Sequence, residues 1–325
     1  MRWIFALQGW ELVDISVILI DSYSQIYRGF YAIPGLRNSL GQPTNAIFAV
    51  ARLLFQLRRQ FPSDYGGFVF DLGRSAHRLE LLPQYKANRP PMPDDLSVQL
   101  PVIRKWIALS GWPIFESEGW EADDIIASFT SELSDSKIRI VTSDKDFAQL
   151  VGERVKMLVP EKKGGFEEWS AKQVIAKFAV PPEKIGDYLS LMGDSSDNIP
   201  GIEGIGPKTA AKILEKFSSV EEIGTNPERI ENVKLREKIM AGFNKIILNK
   251  KLIRLGGPLP DKDWKNPALL KIGIPDWDAL ERIAKELEMP SILKEIGIEK
   301  EKASGMIERK APAPEKFETP DLFEL

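Results

Sequence analysis

Three short apolar segments of the chain share one layout, in which a continuous run of Val, Ile or Phe leads into aspartate. They are VILID ending at Asp21, GGFVFD ending at Asp71, and KIRIVTSDKD with Asp144 and Asp146. Continuous apolar runs are typical of strands buried on both faces, as in a parallel sheet between helices. We therefore expect three such strands, each with an acid close to its carboxyl end.

Helical spacing of apolar residues separates these strands, over 45–61 and 96–109. The alternation predicts an α/β fold with a mainly parallel, open sheet between helices. In such sheets ligands bind beyond the carboxyl ends of the strands, so the four aspartates are expected at one edge.

The segment GWEADDIIASF adds Glu121, Asp123 and Asp124 just before an apolar helical stretch. Taken alone, acids in a first helical turn also complement the helix dipole, and that interpretation stays open. The helix-dipole interpretation becomes less favoured because four other acids are predicted to lie in the same region.

The pattern changes after about residue 165, where strand signals fade. We predict an α/β core over 16–165 and a mainly helical domain over 166–298. Residues 1–15 are expected to be a poorly specified extension, as from an upstream start codon, and the polar segment 299–325 a flexible tail.

A glycine-rich stretch within 193–214 nearly matches the phosphate-loop pattern G-x-x-x-x-G-K-[ST]. Pro207 occupies the position of the required Lys, and the preceding LMGDSSDNIP is not a strand, so we reject a nucleotide loop. We predict a hairpin between two helices whose backbone N–H groups bind a DNA phosphate; an ordinary helix-capping turn is the alternative. The candidate residues are Gly201, Gly204, Gly206, Lys208 and Thr209.

Composition narrows the chemistry. The 325 residues include 44 Lys and Arg, 47 Asp and Glu, one His and no Cys. The missing Cys excludes disulfides, thiolate zinc sites and a Cys nucleophile, and one His nearly excludes Ser-His-Asp and multi-His zinc chemistry. No apolar run approaches the ~20 residues of a membrane span, and no signal peptide is recognisable, so we expect a cytoplasmic protein with no membrane partner.

After these exclusions, carboxylates are the abundant side chains that could carry the chemistry. In one pocket without cations, repulsion and desolvation would keep several of them protonated. An all-oxygen ligand set selects Mg²⁺, or Mn²⁺ in its place, and two such ions about 4 Å apart are the usual device for phosphodiester hydrolysis. The alternative is that Asp is simply common in turns. The candidate metal ligands are Asp21, Asp71, Glu121, Asp123, Asp124, Asp144, Asp146, Asp194 and Asp197.

Basic residues cluster although the whole chain carries a net charge of −3. The segments 72–91 and 233–254 have net charges of +3 and +6. A solvated helix face is the common meaning of such runs, but beside a metal site that needs a polyanion they favour phosphate binding. His77, in the first cluster, is expected at the surface or facing DNA rather than on a metal.

Together these motifs resemble the bacterial 5′-nuclease domain of DNA polymerase I and its stand-alone relatives, the flap endonucleases, over roughly residues 16–298. The resemblance implies a PIN-like or resolvase-like core, a helical arch at about 74–95 and a helix-hairpin-helix at 193–214 that grips duplex DNA through K⁺. All nine acids are present. Ser22, Ala127 and Ser143 replace glycines usual in the family, and no proofreading or polymerase domain follows, as in a free-standing nuclease.

The resemblance also implies individual roles. Arg28 is expected to contact substrate. Arg78, Tyr85, Lys86 and Arg89 are expected to face the single-stranded 5′ end and the scissile phosphate. The residues assigned to catalysis are Lys86, Arg89, Asp123 and Asp144.

The implied activity is that of a Mg²⁺-dependent 5′-3′ exonuclease and flap endonuclease acting on DNA with 5′ flaps, nicks or 5′ ends, and on RNA primers. A monomer associated with the nucleoid is expected. TPDLFEL resembles peptides that dock on the sliding clamp, through Leu322 and Phe323. Two alternatives stay open: a non-catalytic structure-specific DNA-binding protein, and a small ribonuclease with a similar acidic pocket.

Overall fold

A computed structural model describes residues 15–161 and 164–305. Most of the predicted N-terminal extension, and the tail from residue 306 with its clamp-docking pair, lie outside these residues. Among the described residues, no helix is both long and apolar enough to cross a membrane.

The centre of the molecule is a six-stranded sheet in the order β3-β2-β1-β4-β5-β6. Every neighbouring pair is parallel except β5–β6. The prediction of a mainly parallel α/β core is confirmed. The strands are β1 Ser16–Asp21, β2 Tyr65–Val69, β3 Ile114–Phe115, β4 Lys137–Val141, β5 Val155–Pro160 and β6 Phe166–Trp169.

Helices cover both faces of this sheet and form the second half of the chain. In the first half they are α1 Ser22–Ala32, α2 Asn45–Gln60, α3 Ala76–Leu81, α4 Asp94–Ser97, α5 Leu100–Leu109 and α6 Ala122–Glu132. In the second half they are α7 Ala171–Phe178, α8 Ile185–Met192, α9 Pro207–Lys216, α10 Val220–Thr225, α11 Val233–Ala241, α12 Phe243–Ile253, α13 Trp277–Glu286 and α14 Pro290–Ala303. A short antiparallel pair, β7 Gly193–Asp194 and β8 Ile199–Pro200, follows α8.

The strand order reverses beside β1. From β1 the chain moves outward through β2 to β3, and then returns to the other side of β1 with β4. The carboxyl ends of β1 and β4 therefore border a topological switch point, where ligands of open α/β sheets bind. This topology positions the acidic residues.

Two apolar cores lie on the two sides of the sheet. One contains α6 and continues without a break into the helices α8, α9 and α12. The other contains α2 and α5 and also the last two helices, through Leu280, Ile283, Ile292 and Ile296. The helical half thus packs on one face, and α13 and α14 return to the other.

This arrangement differs from the predicted domain limits in two places. The boundary at 165/166 falls inside the β5–β6 pair, because residues 166–169 form the edge strand rather than the start of a helical domain. At the other end, α14 continues to Ala303, so the first five residues of the predicted tail are helical. Buried Glu299, which pairs with Arg58 of α2 at 3.0 Å, attaches the start of this stretch to the fold.

The expected helical arch at 74–95 is helical only in α3 and at the first residues of α4. The turns and extended residues between them lie against the loop that joins β7 to β8. Lys86 N–H donates to the carbonyl of Asp197 at 3.0 Å, and Asn88 and Asn198 make side-chain hydrogen bonds of 2.8 and 2.7 Å across the same contact. This segment, residues 82–93, is called the strap below.

Candidate active site

Four carboxylates gather where β1, β2 and β4 end and α6 begins: Asp21, Asp71, Asp123 and Asp144. We call them the open cluster. Asp21 is the last residue of β1 and caps α1, accepting from Ser24 N–H at 3.3 Å. Asp71 follows β2 and accepts from Ala122 N–H at 2.9 Å, which attaches the first turn of α6 to the sheet edge.

The open cluster is electrostatically unfavourable as it stands. Burial and the charge of Asp71 raise the pKa of Asp21 to about 7. Burial likewise raises the pKa of Asp71 and of Asp144, and raises that of Asp123 well above its usual range. None of the four forms an ion pair with a residue in the described part of the chain. A cation bound here would supply a counter-charge that the described residues do not.

Three further candidate acids lie next to the open cluster, beyond Asp144. Burial raises the pKa of Asp146 well above its usual range, and its Oδ1 is buried without a hydrogen-bond partner. Asp194 differs, because although burial opposes it, Ser196 and Lys145 hold its pKa below the ordinary value. Lys145 Nζ lies 3.0 Å from Asp194. The third, Asp197, pairs with Arg89 at 2.6 Å.

These donors suit a hard divalent cation in chemistry. They are carboxylate oxygens only, several have raised pKa values, and one buried oxygen lacks a partner. Among the residues that the structure describes, no three acids are arranged to enclose an ion as they stand. Side-chain movement toward a common centre would therefore accompany binding.

Glu121 and Asp124 have a different environment from their neighbour Asp123. Arg78, only 4% exposed, donates to Glu121 at 3.0 Å and to both oxygens of Asp124. Its Nε donates to the carbonyl of Leu252 at 2.7 Å. Arg78 thus fastens α3 to α6 and to the end of α12.

The strap contributes Tyr85, Lys86 and Arg89 to the same group. The Tyr85 hydroxyl lies 3.0 Å from both Glu121 and Asp197, and Lys86 Nζ lies 2.8 Å from Glu121. Burial alone would lower the pKa of Lys86, but Asp123, Glu121 and Asp197 together raise it, so it stays charged. We call this group the paired network, formed by Arg78, Tyr85, Lys86, Arg89, Glu121, Asp124 and Asp197.

The structure shows the present surroundings of several of the expected site residues. Arg78 and Tyr85 were expected to face single-stranded DNA, but they are 4% and 2% exposed. Asp124 was expected as a metal ligand, but both its oxygens are occupied by Arg78. Arg28, expected to contact substrate, donates to the carbonyl of Glu161 at 3.1 Å. His77 is exposed, as expected.

The predicted hairpin lies between α8 and α9, as the sequence indicates. Gly204 has a φ of +83°, which favours glycine, and Gly201 lies so close to the carbonyl of Met192 that a side chain would collide with it. Gly206 caps α9 without a side-chain cap, and Lys208 in its first turn is exposed. The free N–H groups at the start of this helix are suited to an anion.

Buried Asn249 of α12 supports the hairpin from behind. Its amide donates to the carbonyls of Ser190 and Pro200 at 3.0 Å each, joining the end of α8 to β8.

Most of the basic residues predicted over 233–254 are exposed. They are Lys234, Lys238, Lys245, Lys251 and Arg254.

Sequence reasoning missed three residues that hold the acids in place. The Thr142 hydroxyl donates to Asp21 at 2.8 Å and accepts from Asp144 N–H at 3.0 Å, so it joins the ends of β1 and β4. Ser24 accepts from Ser143 N–H at 3.1 Å. Lys145 pairs with Asp194. The segment TSDKD contains two of the three, and its Lys between two acids was the available signal.

Comparison with known proteins gives a consistent result. A family model described as the 5′-3′ exonuclease N-terminal resolvase-like domain matches residues 16–179, and one described as the 5′-3′ exonuclease C-terminal SAM fold matches 180–268. A 5′-3′ exonuclease of Aquifex aeolicus is 41% identical over 86% of this chain and 95% of that protein. DNA polymerase I of Caldicellulosiruptor bescii is 37% identical over 87% of this chain but only 34% of that protein.

Solved structures share the fold at low sequence identity. The bacteriophage T5 flap endonuclease in a complex with DNA and metal ions has a TM-score of 0.60, 21% identity, and covers 86% of this chain and 97% of its own. The catalytic core of Rad2 with DNA has a TM-score of 0.58, 16% identity, and covers 89% and 95%.

Proposed function

This chain belongs to the 5′-3′ exonuclease family and is a nuclease, and we propose that it is a divalent-metal-dependent 5′-3′ exonuclease and flap endonuclease. Its substrates would be DNA with 5′ ends, nicks or 5′ flaps, and RNA primers. The observation that carries this proposal is the open cluster: four carboxylates at a switch point, with raised pKa values and no paired cation among the described residues.

The metal would be Mg²⁺, or Mn²⁺ in its place. Asp21, Asp71, Asp123 and Asp144 would hold one ion. Asp146, whose Oδ1 is buried without a hydrogen-bond partner, would hold a second with Asp194 and Asp197, which would exchange Lys145 and Arg89 for the ion. When bound, such ions activate water and stabilise the oxygen that leaves a phosphodiester.

The chain's own residues would position the substrate. Lys86 and Arg89 lie on the strap beside the open cluster, and each is now paired with an acid of the paired network. A scissile phosphate brings a new negative charge to these cations. Their role would be to neutralise charge that develops on the phosphate, an effect typically worth about 3–4 kcal/mol for one well-placed donor.

Duplex DNA would bind at the hairpin. The free N–H groups at the start of α9, with Lys208 and Thr209 in its first turn, would contact a backbone phosphate, with K⁺ at the hairpin. The exposed lysines of α11 and α12 would extend this contact. The solved T5 enzyme, with DNA and metal ions in its structure, supports this proposal. A monomer acting on the cytoplasmic nucleoid, with the tail docking on a sliding clamp, completes it.

The decisive experiment measures cleavage of a labelled 5′-flap DNA by the purified chain in Mg²⁺ and in EDTA. We expect cleavage near the junction in Mg²⁺ only. Binding without cleavage in Mg²⁺ or Mn²⁺ would establish the non-catalytic alternative. Faster cleavage of single-stranded RNA than of flap DNA would establish the ribonuclease alternative.

A further inference from the structure

Two of the three acids proposed for the second ion already contact cations of the chain. Arg89 donates to Oδ1 of Asp197 at 2.6 Å, and Nζ of Lys145 lies 3.0 Å from Oδ2 of Asp194. The third acid, Asp146, has a buried oxygen without a hydrogen-bond partner. Arg89 and Lys145 therefore occupy positions that a divalent ion would need.

Arg89 reaches Asp197 from the strap, and the strap contacts this acid at two further points. The Tyr85 hydroxyl lies 3.0 Å from Oδ2 of Asp197, so side chains of the strap contact both carboxylate oxygens. Lys86 N–H donates to the Asp197 carbonyl at 3.0 Å. Asp197 is therefore both a candidate metal ligand and an attachment point of the strap. A divalent ion gains full access to this carboxylate only when a donor of the strap leaves it.

The contact between the strap and the loop that joins β7 to β8 has left-handed backbone on both sides. Lys86 has a φ of +53° and Asn198 a φ of +58°, in a region that residues other than glycine populate sparsely. Asn198 donates to the carbonyl of Gln84 at 2.7 Å across this contact. Backbone strain of this kind is concentrated in segments that change conformation at functional sites. The contact is therefore suited to a closed position that the strap leaves.

Arg89 is better placed to leave its acid than the other cations of the paired network. Its side chain is 50% exposed, whereas those of Arg78 and Lys86 are 4% and 10% exposed. A guanidinium that leaves a carboxylate for water remains solvated, and it matches a phosphate with two parallel hydrogen bonds. Arg89 is thus able to exchange Asp197 for a phosphate without leaving a buried charge of its own.

We propose that Arg89 is a placeholder cation, which neutralises Asp197 in the metal-free chain and is released to the substrate phosphate when a divalent ion takes its place. This inference rests on the proposed function and deepens it, because it makes metal binding and DNA binding depend on each other. An ion at Asp197 frees Arg89 for the phosphate, and a phosphate that holds Arg89 frees Asp197 for the ion. Such coupling is reciprocal, so each ligand raises the affinity for the other by the same factor.

Binding of Mn²⁺ to the chain without DNA tests the competition directly. Free Mn²⁺ is measured by electron paramagnetic resonance for the unaltered chain, for Arg89→Met and for Arg74→Met, which removes an exposed charge from the same basic segment. We expect Arg89→Met to bind the weaker of two Mn²⁺ ions at least fivefold more tightly than the unaltered chain, because the ion no longer displaces a cation. Arg74→Met is expected to stay within twofold of the unaltered chain.

Unchanged or weaker Mn²⁺ binding by Arg89→Met would overturn the proposal, since a residue that only contacts substrate leaves metal affinity unaltered without DNA. An equal gain in Arg74→Met would also overturn it, as a general effect of charge. Flap cleavage by the unaltered chain in Mg²⁺ is measured on the same preparation. Absence of cleavage there would contradict the proposed function, whereas cleavage together with unchanged Mn²⁺ affinity of Arg89→Met contradicts the placeholder alone.

Hydrogen exchange provides a second measurement without DNA. In the unaltered chain, Mg²⁺ is expected to speed exchange at the amides of residues 85–89 at least fivefold, because the strap loses part of its attachment to Asp197. The amides of α2 are expected to stay unchanged. In Arg89→Met the amides of the strap should exchange faster before Mg²⁺ is added and respond less to it. Slower or unchanged exchange of the strap in Mg²⁺ would contradict the proposal.

Discussion

The open cluster and the paired network contain the same kind of residue under opposite conditions. Asp123 and Asp124 are consecutive in α6, yet Asp123 has a strongly raised pKa, whereas Asp124 has Arg78 on both oxygens. Asp123 would need a cation from solution to stay ionised, whereas Asp124 has a cation from the chain. The surroundings, rather than the residue type, determine which acid is available to a metal.

The largest effect expected from this comparison is on cleavage by Asp123→Asn. Removing this proposed metal ligand should raise the activation barrier for cleavage by about 4 kcal/mol, which lowers the rate about a thousandfold. The folding stability should not fall, because the substitution also removes repulsion between carboxylates. Flap cleavage and urea unfolding measure the two quantities. If the Asp123→Asn chain cleaves at near the original rate, Asp123 is not part of the active site.

Arg78→Met should have the next largest effect, this time on folding. It leaves Asp124 buried without its cation, which typically costs about 3–5 kcal/mol, whereas Glu121 keeps Lys86. Arg89→Met is the matched control, since Arg89 is half-exposed on its side chain and pairs with one acid. A loss for Arg78→Met no greater than that for Arg89→Met would show that the paired network does not hold the fold.

Lys86→Ala connects the two regions. Its amine belongs to the paired network but faces the open cluster, so we expect cleavage to fall about a hundredfold while DNA affinity falls less than fivefold. Single-turnover cleavage and fluorescence anisotropy separate these quantities. An equal fall in both would make Lys86 a binding residue only.

The open cluster also predicts how pH affects stability without metal. Between its usual 3.8 and about 7, folded Asp21 keeps a proton that the unfolded chain has lost, so stability falls as pH rises across this range. The loss is on the order of 4 kcal/mol, and Mg²⁺ should restore it at pH 7.5 but not at pH 5. Urea midpoints in EDTA and in Mg²⁺ test this. A loss of equal size in Asp21→Asn would assign it to another group.

The smallest effect lies outside both regions. Lys208→Ala should weaken binding of duplex-containing DNA by severalfold and reduce the dependence of affinity on salt by about one ion, with little change in the cleavage rate at saturation. Lys177→Ala, on α7, serves as the control. A large fall in saturated rate would place Lys208 in the chemistry rather than in binding.

Much of this arrangement could be predicted from local sequence. The strand over 137–141 and the helix over Asn45–Gln60 follow from continuous and periodic apolar residues, and parallel strands bring their terminal acids to one edge. The pairing of Arg78 with Asp124 could not be predicted, because it joins residues 46 positions apart through packing of α3 on α6. Sequence spacing shows which face a residue occupies but not which partner meets it.

A local sequence signal opposed a continuous helix in the strap, but the family resemblance led to the prediction of a helical arch there. Prolines at 83, 90, 91 and 93 oppose a continuous helix, and the structure has turns and extended residues there. The return of α13 and α14 to the far face had no such signal. Their amphipathic patterns predict helices, but the face that they cover is determined by the path of residues 254–276.

That return has a consequence for synthesis. The side chains of α2 and α5 that face α13 and α14 stay uncovered until residues 277–303 have been made. At typical translation rates the interval between completion of α5 and of α14 is roughly 10–40 s. During it, Phe55, Trp106 and their neighbours form an apolar surface on a nascent chain. Chaperone binding is therefore expected at this face, and should end when the last helix arrives.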